Sequence, residues 1–306
     1  MARSSSAYIL ALTLASCAAG DSMPGPRAPI EPKEGEPPHE DSAGVPETVL
    51  TVVHDVPADE TEEGAPPSPV RVALYLAPGV GMDAHVATLA TFRAARGIVP
   101  TVVSPEQVRS GGLSGQHVVV FTGGRGGVQG EALGEDGRRA VRELVAGGGG
   151  YVGVCAGAYL ALQGPDDFHK LAIVAGRNLS GDAWQRGVIT AEVQEVGGER
   201  VLRLFYANGP VVEAIPHPVL PRYMPLALFR SDAYLPAHGT RSGEMPGTPA
   251  ILAAAYGRGR IILFSPNPVL ANEGEAAVPE LMLQAVRWVS TPGPVRPDLV
   301  FSDVFR

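Results

Sequence analysis

Short apolar runs and helical segments alternate along the chain from residue 70 onward, and this alternation limits the possible folds more than any other feature. The runs "RVALYLAP", "IVPTVVS", "HVVVFTGG" and "YVGVC" are rich in β-branched residues, and amphipathic stretches separate them. Continuous apolar strands joined by helices are typical of a parallel sheet covered on both faces. The sequence therefore predicts an α/β domain, flavodoxin-like and doubly wound, with a mostly parallel sheet whose ligand sites lie at the carboxyl ends of the strands.

The remaining segments complete this domain. We expect a helix that Asp83 caps and Gly97 ends, a helix through "EDGRRAVRELVAGGGG", strands in "GVITAEVQEV" and "RVLRLFYANGP", and a closing helix in "AAVPELMLQAVRWVS". In "PAILAAAYGRGRIILFSP" the letters GRGR lie between two apolar runs, which predicts a hairpin turn. The predicted domain covers residues 70–291, and residues 292–306 are assigned as a C-terminal tail.

The first residues resemble a bacterial lipoprotein signal. Arg3 precedes the apolar stretch "AYILALTLAS", which is too short to span a bilayer and is followed by Cys17. Leu14 to Cys17 read Leu-Ala-Ser-Cys, similar to a lipobox, which implies a signal peptide over residues 1–16 and a lipid on the thiol of Cys17. A plain secretion signal with a chance cysteine is the alternative.

Residues 17–69 differ in composition from the rest of the chain. Between Ala18 and Pro69 there are eleven prolines, twelve acidic residues and two basic residues, which predicts a disordered, extended tether. Within it, residues 48–56 could form a short strand, although a spacer explains them as well. The remaining domain carries 21 basic and 20 acidic residues, so no concentrated positive field for nucleic acid is expected. With Cys17 lipidated, Cys155 is the one remaining thiol and no internal disulfide can form.

One short motif suggests nucleophilic chemistry. Gly153, Cys155 and Gly157 have the spacing Gly-x-nucleophile-x-Gly, in which a strand turns sharply into a helix and exposes the central residue. The helix amino terminus should also lower the pKa of the Cys155 thiol. The glycine-rich run 123–127 follows the preceding strand, so its backbone N–H groups could form an oxyanion site together with Ala156. A small buried cysteine and an ordinary turn are the structural alternatives.

The sequence resembles the class I glutamine amidotransferase-like family, in the branch named for the amino-terminal domain of biotin-protein ligase. The resemblance runs from about residue 70 to 290 through "VVVFTGGRGG", "GGGGYVGVCAGAYLAL", "AWQRG", "YANGP" and "GTPAILAAAYGRGRIILFSPNP". It implies that Cys155 is the nucleophile and that the loop at Gly123, Gly124 and Arg125 supplies the oxyanion donors.

The same resemblance exposes a departure from the family. Where the family carries its base and acid in a Ser-Pro-His-Pro-Glu type of segment, this chain has Asn267 in place of histidine and Val269 in place of glutamate. An asparagine can hold a hydrogen bond, but it cannot take a proton from a thiol and return it to a leaving group. His238 is the first candidate for a substitute base, and His169 and His217 are further candidates.

Other candidate ligand contacts and sites are few. Trp184 and Arg186 could lie at the rim of the pocket and bind an acyl or carboxylate group, although a tryptophan in the core is as good an explanation. No cluster of residues has metal-ligand spacing, and no cofactor is expected.

Three function classes follow. The first is a lipid-anchored envelope protein whose domain binds a small molecule or peptide without turnover. The second is a cysteine-dependent amidase or hydrolase with a relocated base, and the third is a structural lipoprotein with a vestigial pocket. Glutamine-dependent amide transfer and biotin ligation are disfavoured because the sequence shows no synthetase domain. The expected location is the periplasmic side of a bacterial envelope, and Ala18, which stands where an aspartate would retain a lipoprotein in the inner membrane, favours the outer membrane.

Overall fold

A nine-stranded sheet forms the centre of the protein. The structure, a computed structural model, describes residues 68–164 and 169–306. The predicted signal peptide, Cys17, the possible strand at 48–56 and the tether up to residue 67 lie outside the described residues.

The strand order of the large sheet is β2-β1-β3-β4-β11-β10-β9-β6-β7, and β5 pairs with β8 in a separate two-stranded sheet. The first four pairings in this order are parallel and the next four are antiparallel. The strands are β1 (Val70–Tyr75), β2 (Ile98–Val103), β3 (Val118–Phe121), β4 (Gly150–Val154), β5 (Gly176–Asn178), β6 (Val188–Glu195), β7 (Val201–Ala207), β8 (Val212–Ala214), β9 (Met224–Phe229), β10 (Pro249–Tyr256) and β11 (Gly259–Phe264).

Helices cover both faces of the parallel half of the sheet. They are α1 (Met82–Ala94), α2 (Pro105–Arg109), α3 (Gly126–Ala146), α4 (Ala156–Ala161), α5 (Pro279–Val289) and α6 (Phe301–Val304). Apolar side chains of α1, α5 and α6 pack on one face of the sheet, and those of α2, α3 and α4 pack on the other. This arrangement confirms the predicted α/β fold class, and the antiparallel pairing of β10 with β11 confirms the hairpin.

One predicted helix boundary was wrong. The N-cap of α1 is Gly81, and Asp83 lies inside the first turn, where its carboxylate accepts the N–H of Ala84 at 2.8 Å. The span of α3 consists of two helices that meet at a kink at Gly134, whose φ of 65° and ψ of 174° are not helical. The helix predicted from Glu135 is the second of these, and the first, which begins at Gly126 directly after the glycine-rich loop, was not predicted.

Residues 292–306, separated from the domain as a tail in the sequence analysis, contribute to the core. The aromatic rings of Phe301 and Phe305 are buried, and the ring of Phe305 lies 6.0 Å from that of Phe264 on β11. None of the helices in the described ranges is long and apolar enough to cross a membrane.

Candidate active site at Cys155

Cys155 lies in a sharp turn between β4 and α4. Its φ of 51° is unusual for a residue with a side chain, and the two flanking glycines make the turn possible. A Cβ atom on Gly157 would collide with the carbonyl oxygen of Phe121, and one on Gly153 would lie 2.6 Å from the carbonyl oxygen of Gly157. The strand, turn and helix therefore have the elbow geometry that the glycine spacing predicts.

Two backbone N–H groups act on the sulfur. Those of Ala156 and Gly124 lie close enough to lower the pKa of the thiol, which favours the thiolate. The thiol in turn donates to the carbonyl oxygen of Ala207 at 3.5 Å. The N–H of Arg125, another expected donor, is bonded instead to the carbonyl oxygen of Gly79 at 2.7 Å. Gly124 and Ala156 thus form a two-donor site beside the sulfur.

Close backbone packing fixes the glycine loop in this position. Gly124 has a φ of 129°, and a Cβ there would collide with the carbonyl oxygen of Gly79. The N–H of Gly81 donates to the carbonyl oxygen of Gly123 at 2.9 Å, which joins the loop after β3 to the loop after β1. A Cβ on Gly126 would lie 2.9 Å from the carbonyl oxygen of Ala156, so the loop also rests on the first turn of α4. Only glycine allows such approaches.

The thiol of Cys155 is less acidic than the sequence analysis expected. Although part of the residue remains accessible, the surrounding protein desolvates the sulfur and raises its pKa from 9.0 to about 11. The N–H groups of Ala156 and Gly124 act in the opposite direction, while the carboxylate of Asp83 raises the pKa further. The expected lowering of the pKa was wrong because two donors and a helix of six residues cannot offset this desolvation.

Asn267 and Val269, which the sequence resemblance places at the family's base and acid, are both buried. Asn267 is 5% exposed and Val269 is 7% exposed. The side-chain oxygen of Asn267 accepts the N–H of Val269 at 2.9 Å, and its backbone N–H donates to the carbonyl oxygen of Phe205 at 2.7 Å. The asparagine thus holds a local turn and the edge of β7, and its oxygen already has a partner.

The three histidines considered as substitute bases lie in different places. His238 ends an exposed 3-10 turn at Pro236–His238, and the hydroxyl of Thr240, two residues later, donates to the carbonyl oxygen of Gln185 at 3.0 Å. The Nδ1 atom of His217 accepts the N–H groups of Val219 and Leu220, and His169 borders the undescribed residues 165–168. Within the described ranges, no hydrogen bond joins any of these imidazoles to Cys155.

A fourth histidine, His85 on α1, was not considered in the sequence analysis. It is buried, its Nδ1 atom has no hydrogen-bond partner among the described residues, and burial lowers its pKa. The preceding residue, Ala84, lies near the site. A Cβ placed on Gly123 would be 3.7 Å from the Cβ of Ala84 and 3.8 Å from the Cβ of Cys155. In the sequence, the spacing of His85, Thr88 and Phe92 puts them on one face of the helix. This spacing indicates a face that packs in the core, but it does not indicate a functional residue.

Trp184 and Arg186, predicted at the pocket rim, have separate environments. Trp184 is 46% exposed. Arg186 is buried and its guanidinium is paired with the carboxylate of Glu244 at 2.8 Å, with the hydroxyl of Ser180 and with the carbonyl oxygen of Ala233. The prediction that Arg186 binds a ligand carboxylate is therefore not supported by its contacts, because both of its terminal nitrogens donate to groups inside the protein.

The segment after β7 brings further groups to Cys155. Asn208, with φ 57°, accepts the N–H groups of both Arg186 and Gly187 at 2.7 Å, and this fixes the turn that presents the carbonyl oxygen of Ala207 to the thiol. Burial raises the pKa of the phenols of Tyr159 and Tyr206, and the nearby charge of Cys155 raises each of them further. Neither tyrosine was singled out from the sequence, because an isolated aromatic residue is a common core residue.

The most prominent surface depressions lie elsewhere. One is at the amino-terminal ends of β3 and β4, lined by Gln116, His117 and residues 147–149, and the other lies beside Trp288. In the part of the chain that the structure describes, no cluster of histidine, cysteine or carboxylate side chains could hold a metal ion.

Comparison with known proteins gives a family match for part of the chain and structures of similar fold. Residues 72–180 match the family described as "Biotin-protein ligase, N terminal". The structure is similar to that of PurLQS from Thermotoga maritima, with 14% sequence identity, a TM-score of 0.50, and coverage of 72% of this chain and 98% of that chain. A crystal structure of a glutamine amidotransferase has 17% identity, a TM-score of 0.48, and coverage of 72% and 99%. No curated protein matches the chain.

Proposed function

Because residues 72–180 form a domain of the biotin-protein ligase N-terminal family, we propose that the protein is a lipid-anchored envelope protein that binds a small molecule or peptide at Cys155 without turning it over. The anchor rests on the signal-like first residues and Cys17. The absence of turnover rests on the chemistry of the site.

The observation that carries this proposal is the environment of Asn267. The sequence resemblance puts it at the position of the family's base, its side-chain oxygen accepts the N–H of Val269, and an amide has no proton-accepting role near neutral pH. The thiol of Cys155, with its pKa raised to about 11, is almost entirely protonated under the same conditions. Without a proton acceptor, a cysteine elbow can hold a ligand but cannot complete an acyl-transfer cycle at a useful rate.

The binding role is supported by what the site retains. The N–H groups of Gly124 and Ala156 still converge beside the sulfur, as donors to a carbonyl or carboxylate oxygen would. The strained turn at Cys155 is also intact, although a residue with φ 51° costs stability. These two features favour a working ligand site over a vestigial one.

Hydrolysis assays test the catalytic part of the proposal. We expect the native protein to show no Cys155-dependent cleavage of glutamine, acetamide or p-nitrophenyl acetate. The paired substitution Asn267→His with Val269→Glu should raise activity, and Cys155→Ala in that background should abolish the gain. Cleavage by the native protein that is lost in Cys155→Ala and in either His238→Ala or His85→Gln would instead establish a cysteine hydrolase with a relocated base.

Membrane fractionation tests the anchor. A Cys17→Ser variant should move from the membrane to the soluble envelope fraction, while Cys155→Ser should stay where the native protein is. Outer-membrane fractions should contain the native protein. A Cys17→Ser variant that remains with the membrane would refute the lipid anchor.

A further inference from the structure

The phenol hydroxyl of Tyr159 is a buried polar group with no hydrogen-bond partner among the described residues. Tyr159 lies on α4, four residues after Cys155, and its backbone N–H donates to the carbonyl oxygen of Cys155 at 3.0 Å. Both residues lie against the same glycine loop: a Cβ on Gly123 would be 3.8 Å from the Cβ of Cys155, and a Cβ on Gly126 would be 3.4 Å from the Cβ of Tyr159. The phenol and the thiol are therefore neighbours along this loop.

Three contacts fix the position of this side chain. A Cβ on Gly126 would lie 3.4 Å from the Cβ of Tyr159, so the glycine loop packs directly on the residue. The ammonium of Lys170 lies 5.2 Å from the centre of the phenol ring and donates to the Tyr159 carbonyl oxygen at 2.7 Å. The loop and the lysine both pack on Tyr159, whose hydroxyl is buried.

The phenol remains protonated and is available as a donor. Burial raises the pKa of Tyr159 well above its ordinary value, and the charges of Tyr206 and Cys155 raise it further, whereas Arg186 lowers it. An O–H that stays protonated at every ordinary pH can donate a hydrogen bond throughout that range.

Other buried tyrosines around the site have partners for their hydroxyls. Tyr206 donates to the carbonyl oxygen of Gly209 at 2.9 Å, and Tyr151 donates to that of Gly157 at 2.7 Å. A buried hydroxyl without a partner destabilises a protein, and such groups are uncommon. Tyr159 is thus the exception in a region where the same residue type is otherwise satisfied.

We propose that the Tyr159 hydroxyl donates a hydrogen bond to a carbonyl oxygen of the ligand at Cys155, beside the N–H groups of Gly124 and Ala156. The inference rests on the proposed function and specifies its ligand class: an amide or another acyl compound. All three groups are donors, so they select an oxygen that accepts several hydrogen bonds. Tyr159 is then a specificity-determining residue of the site.

Two thiol reagents of similar size test this assignment in the Cys17→Ser protein, where Cys155 is the one cysteine of the sequence. Iodoacetamide and allyl bromide both react by attack of the thiolate on carbon, with a C–S bond formed and iodide or bromide released. Only iodoacetamide carries a carbonyl oxygen. Because both reactions need the thiolate, any change in the pKa of Cys155 cancels in the ratio of the two rates.

The Tyr159→Phe substitution should lower the iodoacetamide rate about 3- to 10-fold, as expected for one lost hydrogen bond, and should change the allyl bromide rate less than about twofold. Its melting temperature should stay equal or rise, because the hydroxyl has no partner to lose. Tyr206→Phe is the matched control: it loses the bond to Gly209, should melt at a lower temperature, and should leave the rate ratio unchanged.

The outcomes separate this inference from the proposed function. An unchanged rate ratio in Tyr159→Phe, or a loss of stability with both rates reduced equally, would overturn the role of Tyr159 and leave the binding proposal in place. If neither reagent modifies Cys155 in the native protein, the site is closed to ligands, and both proposals fail.

Discussion

The reactivity of Cys155 should have the pH dependence of a desolvated thiol. Raising the pKa from 9.0 to about 11 lowers the thiolate fraction near pH 7.5 by about 100-fold. A thiolate of higher pKa is intrinsically more nucleophilic, which recovers about a factor of ten over two units. We therefore expect iodoacetamide to modify Cys155 about tenfold more slowly at pH 7.5 in the folded protein than in the unfolded protein. The rate should keep rising beyond pH 9, with an inflection near 11.

The assay measures iodoacetamide incorporation by mass spectrometry between pH 6 and 11.5 in the Cys17→Ser protein. The same protein in concentrated urea is the reference, and circular dichroism at each pH identifies conditions where the fold is retained. Asp83→Asn is a matched variant: it removes a carboxylate that raises the pKa, so it should increase the rate near neutral pH by less than about fivefold. An inflection at or below pH 9 would show that the N–H donors and the helix terminus outweigh desolvation, which would refute the reasoning.

Three further substitutions test contacts that support the site. Gly124→Ala should destabilise the protein by at least about 2 kcal/mol in urea unfolding, because of its φ of 129° and the collision with Gly79; a neutral effect would contradict the described loop. Glu244→Gln should lower the unfolding free energy by about 2 to 3 kcal/mol, because the buried guanidinium of Arg186 loses its counter-charge. The same change at the exposed Glu143 should lower it by less than about 0.5 kcal/mol. Phe305→Ala should lower the unfolding free energy by about 3 kcal/mol if residues 292–306 belong to the core, and an effect near zero would show that they do not.

The elbow could be predicted from the sequence because its requirements are local. Gly153 and Gly157 permit the turn at Cys155 through their own lack of a side chain, and the apolar run before them and the alanines after them indicate strand and helix. The donors of Gly124 and Ala156 followed from the order of two parallel strands, whose carboxyl ends meet at one edge of the sheet. The N–H of Arg125, predicted as an oxyanion donor, could not be placed in this way, because its direction depends on the neighbouring loop at Gly79.

The partners of individual side chains could not be predicted in this way. Arg186 has the same sequence surroundings whether its guanidinium faces a ligand or Glu244, and these two residues are 58 positions apart. The same holds for Tyr159, whose unsatisfied hydroxyl becomes evident only when its neighbours are known. The sequence also did not predict how β10, β9, β6 and β7 pair with one another, because long-range contacts set the strand order in that half of the sheet.

The sequence by itself determined which chemical groups are present. It placed a cysteine in an elbow, put asparagine and valine where the resemblance implies histidine and glutamate, and established the α/β pattern, because residue identity and local periodicity need no tertiary contact. Tertiary structure alone decided how those groups behave. The packing around Cys155 removes water from the sulfur and raises its pKa, the turn at Asn267 occupies the side-chain oxygen with Val269, and a guanidinium expected at the rim is buried against Glu244. Desolvation and hydrogen-bond pairing depend on segments far apart in the chain, and only the fold brings them together.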